Sequence, residues 1–261
     1  MPAAVSLELI DTHIHLDAAE FSADRPGVIA AAYEAGVKRF VIPSVSLQNC
    51  PQVRDLAVGL KGSFYAVGIH PLYVDQAQEA DIGCLRALLA EGGAVAVGEI
   101  GLDGFVAHAD PVRQEWFFAE QLKLARDFDL PVLLHVRRAQ DRVLKYLRRY
   151  RVCGGIAHAF NGSPQQAEAF MKLGFMLGFG GAMSYSGSVR IRKLAAQLPL
   201  EHIVLESDAP DIPPAWDAQG RNVPANVARF AQILAELRQS DLSEIARQTT
   251  ANAILAIRPK R

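Results

Sequence analysis

The sequence has few cysteines and no long hydrophobic run, and each shortage argues against a class of protein. The three cysteines, Cys50, Cys84 and Cys153, are far apart and odd in number, so disulfides do not organise the fold and a reducing cytoplasm is the expected compartment. No apolar segment reaches the roughly 18 residues of a membrane span. The amino terminus also lacks the basic and apolar regions of a secretory signal. We therefore expect a cytoplasmic protein with no membrane partner.

The chain is also short of net charge. Lys and Arg number 27 and Asp and Glu number 28, a formal net charge of −1, so no overall field attracts nucleic acid or an anionic membrane. A polyanionic substrate would have to be held locally, by a metal ion or a few arginines. No low-complexity linker or compositional break divides the 261 residues, and we predict one domain spanning 1–261.

Short apolar runs alternate with longer helical patterns along the whole chain. The runs are nearly continuous in hydrophobicity, which is typical of parallel strands buried on both faces. Between them, apolar residues recur every three or four positions, as a helix covering a sheet requires. The predicted strands span 7–14, 38–45, 63–70, 94–101, 130–136, 154–160, 175–181 and 202–208.

Eight strand–helix units in about 250 residues predict an α/β fold, a single (β/α)8 TIM barrel. An open doubly wound sheet is the rival, but no GxGxxG motif follows the first strand to favour it. The helical segments 222–239 and 241–257 follow the last strand, and we expect them to close and cap the barrel.

Residues that can bind metal stand where the predicted strands end. In a TIM barrel the functional groups come from the C-terminal ends of the strands. Five of the seven histidines lie at such ends, whereas His108 and His202 do not, and two carboxylates join the five. The set consists of His13, His15, His70, Glu99, His135, His158 and Asp208.

The spacing of His13 and His15 predicts half of a metal site. On a strand, alternate side chains share a face, so both imidazoles point one way and Ile14 points toward the helices. Strands one and eight are neighbours in a closed barrel. We therefore expect Asp208 to complete the first site with this pair.

Glu99 has two carboxylate oxygens and is expected to bridge to a second ion held by His135 and His158. Histidine with carboxylate suits Zn²⁺, Mn²⁺, Fe²⁺ or Co²⁺ and accepts Mg²⁺ when water completes the shell. For any single histidine, a hydrogen-bonded core residue is the commoner interpretation. Burying this many histidines and carboxylates without a cation would be costly. The joint pattern therefore favours two divalent ions.

At these residues the chain resembles the TatD family of metal-dependent hydrolases and deoxyribonucleases, and most of all its YjjV-type branch. The resemblance covers nearly the whole chain, and the motifs appear in family order. The matching segments are DTHIHLD (11–17), GIHP (68–71), VGEIGLD (97–103), PVLLHVRRA (131–139), GGIAHAFNGS (154–163), LESDAPDIPP (205–214) and RNVP (221–224).

The resemblance implies a TIM barrel with a two-metal centre of Mg²⁺, Mn²⁺ or Zn²⁺. Its motifs carry the ligand role onto the same residues: His13, His15, Glu99, His135, His158 and Asp208. His70 would face the substrate and assist the leaving group. Asp208 would also accept the proton of a metal-bridging water, giving a hydroxide nucleophile. Glu206 and Asp11 are assigned supporting positions behind the ligands.

The expected substrate is a phosphate ester, with DNA as one candidate, and no obligate protein partner is predicted. Arg137, Arg221 and Asn222 are the candidate substrate contacts at the barrel mouth. Further basic residues along 138–151 are interpreted as a solvated helix face. Phe105 and Val136 depart from the usual family pattern and concern the substrate cleft, and we expect Phe105, like the other aromatics near the mouth, to be ordinary packing.

Two other functions remain open. The same metal centre supports amidohydrolase cleavage of a C–N or C–O bond, because loops rather than ligands set the substrate. Glu99, in place of a lysine that can be carbamylated, favours phosphate esters. A non-catalytic barrel with structural metals is the third possibility, and a substrate-facing His70 argues against it because structural sites are normally closed.

Overall fold

Eight parallel strands follow one another around a single sheet in chain order. The computed structural model describes residues 8–106 and 110–257, so His108 lies outside the described residues. Each strand pairs in parallel with the next. The strands are β1 Leu9–Asp11, β2 Val37–Pro43, β3 Phe64–Val67, β4 Ala96–Asp103, β5 Val132–Arg137, β6 Gly155–Ala157, β7 Phe175–Phe179 and β8 Ile203–Leu205.

Backbone hydrogen bonds bring the first and last strands together. The Thr12 amide donates to the Leu205 carbonyl at 3.1 Å, and the Asp208 amide donates to the His13 carbonyl at 2.9 Å. The predicted TIM barrel is confirmed. This junction also places His13, near the start of the chain, next to Asp208, near its end.

Helices follow the strands and cover the outside of the barrel. Proline at the first turn and side-chain caps begin several of them: the Asp110 carboxylate, for example, accepts the amides of Val112 and Arg113. The helices are α1 Arg25–Glu34, α2 Cys50–Gly59, α3 Asp81–Ala90, α4 Pro111–Asp127, α5 Gln140–Tyr150, α6 Pro164–Lys172, α7 Val189–Gln197, α8 Asn226–Arg238 and α9 Leu242–Ala256. Among the described residues, none of these helices has the length and apolar character needed to cross a membrane.

The core has two layers. A larger cluster fills the space between strands and helices, and it contains Ile14, as predicted. A smaller cluster takes one residue from every strand and therefore fills the barrel interior, together with residues of α9. Its members are Ile10, Val41, Ala66, Ala96, Leu133, Ile156, Met176, Val204, Ala253, Ala256 and Ile257.

Helix α9 closes the amino-terminal end of the barrel. The Thr250 hydroxyl donates to the carbonyl of Glu8, just before β1, and the Asn252 amide donates to the carbonyls of Leu200 and Ile203, at the start of β8. The opposite end, where the strands finish, is left open for the functional residues.

Several strand boundaries differ from the prediction. β1 ends at Asp11 rather than at residue 14, so His13 and His15 lie beyond the strand instead of on it. There the His15 amide bonds to the Ala209 carbonyl across the barrel junction, while the Ile14 amide still bonds to the Val41 carbonyl of β2. β4 instead continues to Asp103, so Glu99 lies within a strand rather than at its end.

Candidate metal centre

The Glu99 carboxylate lies at the centre of all five predicted imidazoles. It is 1% exposed, and β4 places it within the barrel mouth. Its Oε2 lies 3.1 Å from His13 Nε2 and 3.5 Å from His15 Nε2, and its Oε1 lies 2.9 Å from His158 Nε2, 3.0 Å from His135 Nδ1 and 3.4 Å from His70 Nε2. One carboxylate therefore joins imidazoles from four separate strand ends, those of β1, β3, β5 and β6.

Asp208 approaches the same centre from the β8 side. Its Oδ1 lies 3.7 Å from His13 Nε2 and 3.8 Å from His15 Nε2. These three residues form one group whose possible ligand atoms all lie within 4.8 Å of one another. The structure thus brings together the residues predicted to form the first metal site.

The second group differs in membership from the expected one. Glu99 and His135 are grouped with His70, whose Nε2 lies 3.0 Å from His135 Nδ1. His158 is instead grouped with Glu99 and His13, and its ring stacks on that of His13 with centroids 3.9 Å apart. His158 thus groups with His13 rather than with His135, and His70 stands among the candidate ligand atoms rather than apart from them.

Burial and the carboxylates of Glu99 and Asp208 shift the pKa values of the imidazoles in opposite directions. Burial alone would raise the pKa of Glu99, but the surrounding imidazoles outweigh it and hold that pKa well below its usual range. Burial lowers the pKa of His15 and of His158, yet the adjacent carboxylates reverse the effect and raise these values to about 9 and about 10. For His13, burial and the charge of His158 lower the pKa to about 3. In the metal-free protein, protons on His15 and His158 therefore balance the buried carboxylates.

The residues present fit divalent metal ions. Nitrogen and carboxylate oxygen donors converge, and they already demand compensating positive charge. The Nδ1 atoms of His13 and His158 are buried and have no hydrogen-bond partner in the described part of the chain. Bound cations would supply the positive charge that protons on His15 and His158 supply in the metal-free protein.

Asp103 contacts the candidate ligand His135, a role that the sequence did not predict. Its Oδ2 lies 2.9 Å from His135 Nε2, while Oδ1 accepts the amides of Phe105 and Val106. Burial opposes ionisation, but the hydrogen bond from His135 and the two amides lower the pKa of Asp103 to about 2. An ionised Asp103 holds the proton of His135 on Nε2 and leaves Nδ1 facing Glu99, which is the carboxylate–histidine arrangement found behind metal ligands.

We expect Asp103→Asn to weaken binding of one metal ion by about 10- to 100-fold. The asparagine oxygen can still accept the amides of Phe105 and Val106, but its NH2 group would face His135 Nε2 and push the imidazole proton to Nδ1. A metal titration by isothermal calorimetry measures the effect. Asp110→Asn, at the exposed cap of α4, is the matched control, and equal affinities in the two variants would exclude this role for Asp103.

Asp11 fastens the two chain segments that carry the first site. Its carboxylate accepts the Ser207 amide at 2.8 Å, the Ser207 hydroxyl at 2.5 Å and the His13 amide at 3.3 Å. Burial outweighs these hydrogen bonds and raises the pKa of Asp11 to about 7. The residue lies fully buried behind the ligands and positions the backbone of His13 relative to β8.

Glu206 lies behind His158. Its Oε1 accepts the Ala159 amide and lies 3.8 Å from His158 Nδ1. Gly178 leaves room for this carboxylate, because a Cβ there would overlap it. Burial raises the pKa of Glu206 to about 8, so its ionised form is disfavoured at neutral pH.

A cleft of about 480 Å³ opens above the candidate metal ligands. Its volume lies within the range of small-molecule sites. Arg137 lines it, as predicted for a substrate contact, together with Asn161, Ile191 and Asp211. The ligand residues His15, His70, Glu99, His135, His158 and Asp208 line its inner part.

Arg221 and Asn222 do not line this cleft, contrary to expectation. Asn222 is fully buried, and its amide donates to the carbonyls of Ser207 and Ile212. Arg221 turns away and pairs with Asp24. The reason is that Asn222 satisfies the backbone of the loop after β8, which otherwise would bury unpaired carbonyls. Asn222 therefore supports the loop that carries Asp208.

We expect Asn222→Ala to lower the free energy of unfolding by about 1–3 kcal/mol, because two buried carbonyls lose their donor. The neighbouring Arg221→Ala removes a partly exposed ion pair and should change stability by about 0–1 kcal/mol. Urea denaturation of the metal-free variants compares them. A loss for Arg221→Ala that equals or exceeds the loss for Asn222→Ala would contradict this assignment.

Comparison with known proteins identifies relatives along nearly the whole chain. The family model described as TatD related DNase matches residues 10–258. The uncharacterized metal-dependent hydrolase YjjV of Escherichia coli K12 is 39% identical over 246 residues, which cover 93% of this chain and 95% of that protein. The 3'-5' ssDNA/RNA exonuclease TatD of the same organism is 30% identical over 252 residues, covering 94% and 96%.

The crystal structure of YjjV, a TatD homolog from E. coli K12, superimposes on this chain with a TM-score of 0.92. The sequence identity in that comparison is 37%, and it covers 95% of this chain and 97% of the other. The chain belongs to the TatD related DNase family.

Proposed function

We propose that this protein is a metal-dependent hydrolase that cleaves phosphodiesters, as a nuclease does, and that two divalent ions are its cofactors. The observation that carries the proposal is the contact of Glu99 with imidazoles on both sides of the centre, since a bridging carboxylate suits a pair of ions. Family membership and a relative named as an exonuclease support the phosphodiester. An arginine, Arg137, on the wall of the cleft provides a contact for the phosphate.

Two bound ions would lower the pKa of a shared water and polarise the phosphoryl oxygen. We assign Asp208 as the acceptor of the proton of that water, because 12% of its side chain is exposed whereas only 2% of the Glu99 side chain is. Its pKa is raised by burial, with partial compensation from His158 and His15, which brings a carboxylate closer to the range of a general base.

His70 is the proposed hydrogen-bond donor to the leaving oxygen. Its Nδ1 accepts the Leu72 amide at 3.1 Å, so the proton of the neutral ring stays on Nε2, which faces the centre. Burial lowers the pKa of His70 to about 4, and the ring is therefore neutral at neutral pH. The protein thus holds the Nε2–H of His70 toward His135 Nδ1 and Glu99 Oε1, 3.0 and 3.4 Å away, and a leaving oxygen in the cleft would compete with these acceptors for it.

A metal-swap assay tests the proposal. Apo-protein is supplied with Mg²⁺, Mn²⁺, Co²⁺ or Zn²⁺ and offered bis(p-nitrophenyl) phosphate, single-stranded DNA, and simple lactones or amides. We expect at least one ion to restore hydrolysis of the phosphodiesters. Hydrolysis of lactones or amides alone would point to amidohydrolase chemistry, and the absence of all hydrolysis with every ion would point to a binding role; either result overturns the proposal.

A further inference from the structure

The side chain of Gln121, on α4, holds the backbone directly before His70. Its Oε1 accepts the Ile69 amide at 2.7 Å, and its Nε2 donates to the Ile69 carbonyl at 3.0 Å. Gln121 is 1% exposed, so water does not compete for either hydrogen bond. The backbone on both sides of Ile69 is therefore fixed to one side chain from the outer layer of the barrel.

This side chain takes the place of a strand neighbour at the end of β3. The last pair that β3 forms with β4 is at Val67. Beyond it, the Glu99 amide of β4 donates to the carbonyl of Ser44, which follows β2. A primary amide offers both a donor and an acceptor, as a peptide does. Gln121 therefore satisfies the Ile69 backbone in the way that another strand would.

The opposite side of the same segment is held from the end of β2. The fully buried Ser44 hydroxyl accepts the Gly68 amide at 2.8 Å and donates to the Gly68 carbonyl at 2.9 Å. The His70 amide donates to the Val45 carbonyl at 2.9 Å. Residues 68–70 are thus fixed between β2 and α4, and His70 belongs to a backbone that is held on both sides.

The position of the His70 ring depends on this backbone. Its Nδ1 accepts the Leu72 amide at 3.1 Å, and its Nε2 lies 3.0 Å from His135 Nδ1. A second side chain of α4 holds the loop that follows, because the Arg113 Nε donates to the Val74 carbonyl at 2.7 Å. Helix α4 therefore fixes the chain before and after His70, and a displacement of about 1 Å there would take Nε2 out of line with a leaving oxygen.

We propose that Gln121 is a positioning residue for the reaction, which holds His70 where its Nε2–H can reach the leaving oxygen. The inference rests on the proposed function, in which His70 donates to that oxygen. Gln121 is not among the described residues that line the cleft, so its effect passes through Ile69 to His70. Donation helps basic leaving groups most, because more negative charge develops on their oxygen. Gln121 therefore matters most for substrates with poor leaving groups.

The test compares two phosphodiesters that differ only in the leaving group, methyl p-nitrophenyl phosphate and methyl phenyl phosphate. Phenol, with a pKa of about 10 like the tyrosine side chain, leaves less readily than the more acidic p-nitrophenol. In Gln121→Met, which keeps the length of the side chain, we expect kcat for methyl phenyl phosphate to fall about tenfold more than kcat for methyl p-nitrophenyl phosphate, with both KM values unchanged. A loss that came only from poorer folding would lower both rates equally.

Asn252→Leu is the matched control. Asn252 is also buried, and its amide donates to the backbone carbonyls of Leu200 and Ile203, but at the closed end of the barrel. This variant should leave the ratio of the two rates at the wild-type value. Gln121→Glu, whose buried acid in its neutral form keeps one donor and one acceptor, should give a ratio between those of the wild type and Gln121→Met.

Chemical labelling of the metal-free protein separates this inference from the proposed function. Diethyl pyrocarbonate acylates a free imidazole lone pair, and in the wild type the Leu72 amide occupies that of His70 Nδ1. We expect His70 to be labelled about tenfold faster in Gln121→Met than in the wild type or Asn252→Leu, as measured by mass spectrometry of peptides. A wild type that hydrolyses neither ester would refute only the proposed function, and the labelling would still decide whether Gln121 holds His70. An unchanged rate ratio in Gln121→Met, or unchanged labelling of His70, would refute the role of Gln121.

Discussion

Replacing Glu99 with alanine should abolish binding of the two proposed metal ions and lower kcat by more than roughly a thousandfold, beyond the loss that accompanies removal of a single transition-state donor. The reason is geometric, since both carboxylate oxygens of Glu99 contact imidazoles, and those imidazoles belong to both predicted ion positions. No other carboxylate among the described residues lies within 3.5 Å of more than one of them. Metal content is measured by mass spectrometry after dialysis.

The barrel should survive the loss of Glu99. The side chain lies at the mouth, whereas the interior cluster that takes one residue from each strand lies below it. Far-UV circular dichroism at neutral pH checks the fold, and Glu168→Ala, which removes an exposed glutamate on α6, is the control for loss of a carboxylate. Retention of two ions per chain in Glu99→Ala would rule out the bridging role.

Asp208→Asn should lower kcat by about 10²- to 10⁴-fold, which is the usual contribution of a general acid or base. Asparagine keeps the shape of the side chain and one oxygen that can face the centre, but it cannot accept a proton at neutral pH. We therefore expect the metal affinity to fall less than it does in Glu99→Ala, while hydrolysis is lost to a similar degree. Steady-state kinetics and metal titration on the same preparation separate the two effects.

The matched control for Asp208 is Asp211→Asn, which changes an exposed acid that lies farther out on the same loop. Its removal should leave metal affinity unchanged, because Asp211 belongs to none of the candidate ligand groups in the described residues. An Asp208→Asn variant with wild-type kcat would exclude Asp208 as the proton acceptor.

The candidate metal ligands could be predicted from the sequence because they combine two local signals. Apolar runs mark parallel strands, and a histidine or carboxylate just past such a run must face the mouth of a barrel. The prediction did not depend on strand boundaries being correct: β1 stops before His13, yet the junction with β8 still directs His13 and His15 inward.

Asp103 shows where the local signal failed. Placing the end of β4 at residue 101 left Asp103 in a loop, whereas the strand continues and Glu99, Gly101 and Asp103 alternate along it. Extending the strand by two residues would have placed Asp103 on the same face as Glu99, four residues farther along the strand. The contacts of Asn222 with Ser207 and of Arg190 with Asn161 could not be predicted in this way, because each joins segments that are separated along the chain.

By itself the sequence determined the barrel, the family and the identity of the converging imidazoles and carboxylates, since hydrophobic periodicity and motif spacing are properties of neighbouring residues. Only the tertiary structure decided that Glu99 contacts all five imidazoles, that His70 stands beside His135, that Asn222 is buried under its loop, and that the half-exposed Phe105 stacks on Arg137 instead of packing in the core. These are contacts between separate strand ends. They depend on how loops pack against each other after the barrel closes, which no pattern within one segment specifies.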